Sequence, residues 1–175
     1  LKIGLPVIQE TLKTFRGVKR RFERKGELGG VLVIDDYGHH PTEIAATLQT
    51  AKTLDRKRVI VVFQPHRYSR TKFLINEFAG CFNLADHLVL MDIYPASEKP
   101  IEGVSTQALM EKVCEKRPQP TVYLKKEQVV KHVIDLVRPG DLVLTLGAGD
   151  ITQISDELMR GLEQHAASGQ GRGVI

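Results

Sequence analysis

The stretch Val31-Leu32-Val33-Ile34-Asp35-Asp36-Tyr37-Gly38-His39-His40-Pro41-Thr42-Glu43 decides how this chain is read. Its four aliphatic residues form a run too short for a helix and of the kind found in strands buried on both faces. Two acids, an aromatic, a glycine and two histidines follow, and Pro41 suits the first turn of a helix. Strand, polar turn and helix in that order place the polar side chains at the C-terminal edge of a parallel sheet, where open α/β folds bind ligands. Acids at such turns also cap helices, and histidines also sit satisfied at loop ends. Spacing alone therefore leaves a structural role open beside a ligand site.

The same alternation runs outward from this point. Further strands are predicted at Arg58 to Phe63, His87 to Met91, Thr121 to Tyr123 and Asp141 to Thr145. Between them lie helices. In Lys126 to Val137, residues Val129, Val130, Val133, Ile134 and Val137 share one face. A last helix is predicted to start at Asp150, capped by its side chain with Gln153 reaching back, and to bury Ile151, Ile154, Leu158 and Leu162. Strands alternating with helices imply an α/β fold: a Rossmann-like, doubly wound, mainly parallel sheet with helices on both faces.

A length of 175 residues allows one sizeable core, and 42% apolar with 26% charged residues is a globular composition. No run of about 18 apolar residues and no signal-peptide pattern occurs, so a cytoplasmic protein with no membrane partner is expected. Cys81 and Cys114 lack metal-type spacing and are read as buried, reduced thiols. The net charge of +4 has much of its excess in Lys19-Arg20-Arg21 and Arg24-Lys25. The aromatics of a single-strand platform are not interleaved with that cluster, so a nucleic-acid partner is not expected. Residues 1–21, with an amphipathic piece from Ile8 to Phe15, are read as the end of a preceding domain and its linker. Residues 22–165 are the domain itself, and Gly- and Gln-rich 166–175 are a disordered tail. The start at Leu1 suggests an excised piece of a longer protein.

Two more polar turns follow predicted strands. In Gln64-Pro65-His66-Arg67-Tyr68-Ser69-Arg70-Thr71, Arg67 and Arg70 can aim two guanidinium groups at one carboxylate or phosphate, unless both are solvated surface residues. In Leu146-Gly147-Ala148-Gly149-Asp150, glycines permit close backbone approach and a helix N-terminus favours an anion, though such turns are often purely structural. No Gly-rich loop ending in Lys-Ser or Lys-Thr is present, so this chain cannot form a P-loop phosphate cradle by itself.

These turns, with Gly17-Val18-Lys19-Arg20-Arg21-Phe22 and Asp92-Ile93-Tyr94-Pro95-Ala96-Ser97-Glu98-Lys99-Pro100-Ile101, carry a resemblance. Over about residues 1–163 the chain resembles the C-terminal domain of the Mur ligases, on the branch that joins L-alanine to UDP-N-acetylmuramate. The murein-peptide recycling ligases are similar at the first turn but differ at the second. The resemblance implies a peptidoglycan-precursor ligase, ATP-dependent and acting through an acyl phosphate. Its magnesium ions and UDP-sugar would be held mainly by N-terminal and central domains of the same chain. It implies that Arg21 reaches ATP from the domain junction, that Asp36 serves the ATP ribose and that His39 lies in the same loop. Tyr37, His66, Arg67 and Arg70 are implied on the amino-acid side, an arginine neutralising the alanine carboxylate. No catalytic residue and no metal ligand is expected in this piece, which should be inactive alone. A stand-alone nucleotide-binding or regulatory module remains the alternative from another class.

Overall fold

The computed structural model describes residues 3–14 and 17–168. The elements run α1 (Leu5–Thr14), β1 (Glu23–Leu28), β2 (Val31–Asp36), α2 (Pro41–Thr53), β3 (Arg58–Phe63), α3 (Tyr68–Phe73), α4 (Ile75–Cys81), β4 (His87–Leu90), α5 (Thr106–Lys116), β5 (Thr121–Tyr123), α6 (Lys126–Leu136), β6 (Asp141–Leu146) and α7 (Thr152–Ala167). They build one six-stranded sheet in the order β1-β2-β6-β3-β4-β5. Every neighbouring pair is parallel except β1 with β2.

Alternation along each strand divides the core in two. Leu32 and Ile34 of β2, with Val59, Val61 and Phe63 of β3, face Ile44 and Leu48 of α2, Phe78 of α4, and Leu109 and Val113 of α5. Val31 and Val33, with Ile60 and Val62, face Val129 and Val133 of α6 and Ile154, Leu158 and Leu162 of α7. Burial on both faces is the reason these strands read as continuous aliphatic runs.

Strand β1 escaped the sequence reading. Its Glu-Arg-Lys-Gly-Glu-Leu composition is polar because it lies at the sheet edge, and its register shifts between Arg24 and Gly26. Gly26 lets α7 approach closely there: a Cβ would lie 2.5 Å from Met159 Cε, and the methionine side chain would have to move. Helix α1 buries no residue, and Ile3, Leu5, Val7 and Leu12 are each more than half exposed. Phe15, expected to close its apolar stripe, lies outside the described residues. Helix α7 carries Ala166 and Ala167, which the sequence reading put in the tail; positions 169–175 lie outside the described residues. Cys114 is exposed, against expectation, because it sits on the outer face of α5.

Candidate functional site

The turns after β2, β3, β4 and β6 gather at the C-terminal edge of the sheet, and a buried ion pair organises them. Asp35 is fully buried and accepts from Arg20 Nε at 3.1 Å, Thr145 Oγ1 at 2.6 Å and Thr152 Oγ1 at 3.0 Å. The other guanidinium nitrogens of Arg20 donate to the carbonyls of Gly147 and Gly149. Arg20 thereby ties the segment before β1 to the turn after β6. Its fixed fork suits this task, since planar donors reach acceptors in two directions at once.

Asp36 also works within the fold. Its carboxylate accepts from Phe22 N and Gly38 N, both at 2.7 Å, and from Thr47 Oγ1 at 3.4 Å. Phe22 has a φ of +50°, so Asp36 holds a left-handed residue of the linker in place. Three protein donors on two oxygens leave one acceptor position, on Oδ2, for a further hydroxyl.

From Arg21 a row of rings crosses the edge. Tyr37 lies 5.6 Å from the Arg21 guanidinium carbon and 5.0 Å from that of Arg20. His39 meets Tyr37 edge-on at 5.2 Å, and His66 follows at 5.8 Å from His39. Tyr94 then stacks on His66 at 5.5 Å, and Arg70 Nη1 lies 3.2 Å from His66 Nδ1. The structure thus brings Arg21, Tyr37, His39, His66 and Arg70 into one contiguous strip. Arg67 borders it at the exposed start of α3.

Arg67 has φ +73° and ψ +136°, a conformation costing about 1–3 kcal/mol for a residue with a side chain. Its backbone is held on both sides, since its N–H donates to Tyr94 O and its carbonyl accepts from Thr71 N and Thr71 Oγ1. Among the described residues Arg20, Arg24, Arg56 and Arg58 are ion-paired; of the six whose guanidinium has no carboxylate within 4.0 Å, Arg21, Arg67 and Arg70 lie along this strip, and Arg117, Arg138 and Arg160 lie elsewhere. Pairing also takes up much of the basic cluster, Lys25 bridging Asp156 at 2.8 Å.

Burial, reinforced by Arg70, His39 and Arg67, pushes the His66 imidazole down to about 4. The folded chain therefore holds His66 neutral where the unfolded chain protonates it near the ordinary value of 6.5. This contribution to stability is complete above about pH 6.5 and is lost as pH falls toward 4. We expect urea midpoints to drop between pH 7 and pH 5 by less in His66→Gln than in the parent chain. Equal drops in the two would assign the acid sensitivity to other groups.

The glycine turn differs from expectation. Asp150 does not cap α7: its carboxylate accepts from Gln64 Nε2 at 2.7 Å and from Lys126 Nζ, and Gln153 accepts from Lys126 instead of reaching back. The Ile151 amide, an expected anion donor, goes to Gln64 Oε1 at 3.2 Å. The glycines answer to packing, because a Cβ on Gly149 would lie 2.4 Å from Gln64 Oε1 and 2.7 Å from the Tyr94 ring. With its carbonyls on Arg20, the Gly147 amide on Asp36 O and the Ile151 amide on Gln64, this turn is a brace of the edge.

Sequence reasoning passed over Arg20, Asp35, Gln64, Tyr94 and Glu98 as individuals, although each lies in a quoted motif. A pairing signal existed for Arg20 and Asp35, since an acid at the end of a fully buried strand needs a cation. Which of two adjacent arginines supplies it depends on the backbone at Arg20, whose φ is +57°.

Comparison with known proteins places this edge in context. Residues 20–149 match the family described as Mur ligase, glutamate ligase domain. The chain belongs to the Mur ligase family. It is 50% identical over 163 residues to the UDP-N-acetylmuramate–L-alanine ligase of Koribacter versatilis (strain Ellin345), covering 93% of this chain and 35% of that protein. The crystal structure of UDP-N-acetylmuramate–alanine ligase from Thermotoga maritima superposes with a TM-score of 0.74 at 29% identity, over 95% of this chain and 34% of that one. A murein peptide ligase from Psychrobacter arcticus 273-4 gives 0.64 at 25% identity, over 95% and 33%. The chain thus spans about a third of the length of the Mur ligases it matches. The arginine-rich strip lies on the stretch that matches the family.

Proposed function

We propose that this chain is the C-terminal domain of an ATP-dependent, cytoplasmic ligase that joins L-alanine to UDP-N-acetylmuramate in peptidoglycan-precursor synthesis. The observation that carries the reading is the strip itself, three arginines without carboxylate partners strung along one row of rings between the linker and α3. Arg21, with the remaining acceptor position of Asp36 and with His39 beside it, forms the nucleotide end. Tyr37 stands between the ends, and His66, Arg67 and Arg70 form the amino-acid end, where a guanidinium offsets the alanine carboxylate and leaves its amine free to attack. In the reaction the muramate carboxylate takes the γ-phosphoryl group of ATP. The amine then forms the amide bond as phosphate leaves and gives up its proton to solvent or a base.

Magnesium fits the phosphates rather than this chain. Among the described residues no three His, Cys, Asp or Glu side chains converge. The metal, the UDP-sugar and the phosphate cradle belong in this reading to N-terminal and central domains of the same chain. Two observations favour alanine over a recycled peptide as the incoming amine. One is the 50% identity to a ligase named for alanine, and the other is the better superposition, 0.74 against 0.64.

The test uses this chain and a full-length ligase carrying it. The chain alone should unfold cooperatively and form no product from UDP-N-acetylmuramate, ATP and L-alanine. The full-length protein should form the amide with alanine and at least about tenfold less with a murein tripeptide. Preference for the tripeptide would transfer the chain to the recycling branch, and ligation by the chain alone would overturn the division of labour.

A further inference from the structure

Helix α3 begins without a cap of its own. Its N-cap residue is Arg67, whose side chain makes no capping bond. A residue 31 positions further along the chain supplies what is missing: the Glu98 carboxylate accepts from Ser69 N at 2.9 Å and from Ser69 Oγ at 2.6 Å. Glu98 is brought there by a turn with two left-handed residues, Ala96 at φ +47° and Ser97 at +71°, closed by Glu98 N donating to Pro95 O at 3.0 Å. Tyr94, at the start of the same turn, bridges His66 and accepts from Arg67 N at 2.8 Å. The Tyr94–Glu98 turn therefore grips both sides of Arg67, one at its amide and one a residue or two beyond it. Within α3, Thr71 holds only the carbonyl of Arg67; the bonds to its amide and to Ser69 come from the separate turn.

We propose that Glu98 is a positioning residue of the amino-acid subsite: by capping α3 from a separate turn it keeps Arg67 left-handed and sets the direction in which Arg67 and Arg70 leave the sheet edge. The inference rests on reading His66 to Thr71 as that subsite. Glu98 does not touch substrate. It also differs from a simple surface acid, because loss of its cap releases strain at Arg67 rather than lowering global stability.

The experiment has two arms. In this chain, hydrogen exchange at the Ser69 amide should speed up at least about tenfold in Glu98→Ala, with the thermal midpoint nearly unchanged. Glu98→Gln keeps one acceptor oxygen and should retain most of the protection. In the full-length ligase, Glu98→Ala should raise the alanine KM about fivefold or more, with kcat and the ATP KM within about twofold, and Glu98→Gln should recover most of the loss. Unchanged exchange at Ser69 overturns the proposal at once. An unchanged alanine KM in Glu98→Ala, where Arg70→Lys does raise it, overturns the positioning role and leaves the subsite standing. If neither variant affects alanine, the subsite reading falls as well.

Discussion

Replacing Asp35 by alanine is expected to destabilise the chain by about 3–5 kcal/mol, the usual cost of breaking a buried ion pair from one side. The carboxylate is fully buried, and its loss strands Arg20 Nε and Thr152 Oγ1 and leaves Thr145 Oγ1 with the longer contact to Ile34 O at 3.4 Å. The Arg20 side chain is 21% exposed, so water relieves part of the stranded charge and the lower half of that range is favoured. For a chain of this size the thermal midpoint should fall by roughly 10 °C. Two controls locate the cause. Asp35→Asn keeps an acceptor for the threonines and should cost less. Arg20→Met placed on Asp35→Ala should recover part of the loss, because it removes the uncompensated charge. A loss under about 1 kcal/mol in Asp35→Ala would show that the pair is not what braces the edge.

In a full-length ligase carrying this domain, Arg70→Lys should raise the alanine KM at least about tenfold, or roughly 1.4 kcal/mol of binding. The ATP and UDP-sugar constants should stay within about threefold. Lysine keeps the charge but not the planar fork. In the structure Arg70 Nη1 is already engaged with the Nδ1 and the carbonyl of His66, each at 3.2 Å, so the orientation of the rest of the guanidinium is set by that contact. An ammonium group has no second edge to present once it makes the same contact. Equal damage to all three constants would indicate failed domain closure, and none would make Arg70 a surface residue. Asp36 combines a structural task with the ribose contact proposed for it. A change at Asp36 also frees Phe22 and Gly38, so a raised ATP constant in Asp36→Ala mixes lost ribose contact with a displaced linker.

The buried strands were legible because both faces are covered, so β2, β3 and β6 carry uninterrupted runs of three or four aliphatic residues. Strand β1 was not, since an edge strand with one open side obeys pairing with its neighbour more than hydrophobicity. The α7 cap shows the same limit. Asp150 followed by Gln153 has capping spacing, but Gln64 and Lys126 reach Asp150 from other elements and outcompete the local bond.

By its sequence alone this protein is a mainly parallel α/β domain with its polar turns along one sheet edge, and its motifs resemble the Mur ligases. Those properties depend on periodicity and local turn chemistry, which act within a few residues. Only the tertiary structure decided that Arg20 rather than Arg21 pairs with Asp35, that the glycine turn is a brace, that Asp36 holds the linker and that Glu98 caps α3. Each of these depends on hydrogen bonds between groups far apart in the chain, and a directional bond between distant groups leaves no periodic trace in the sequence.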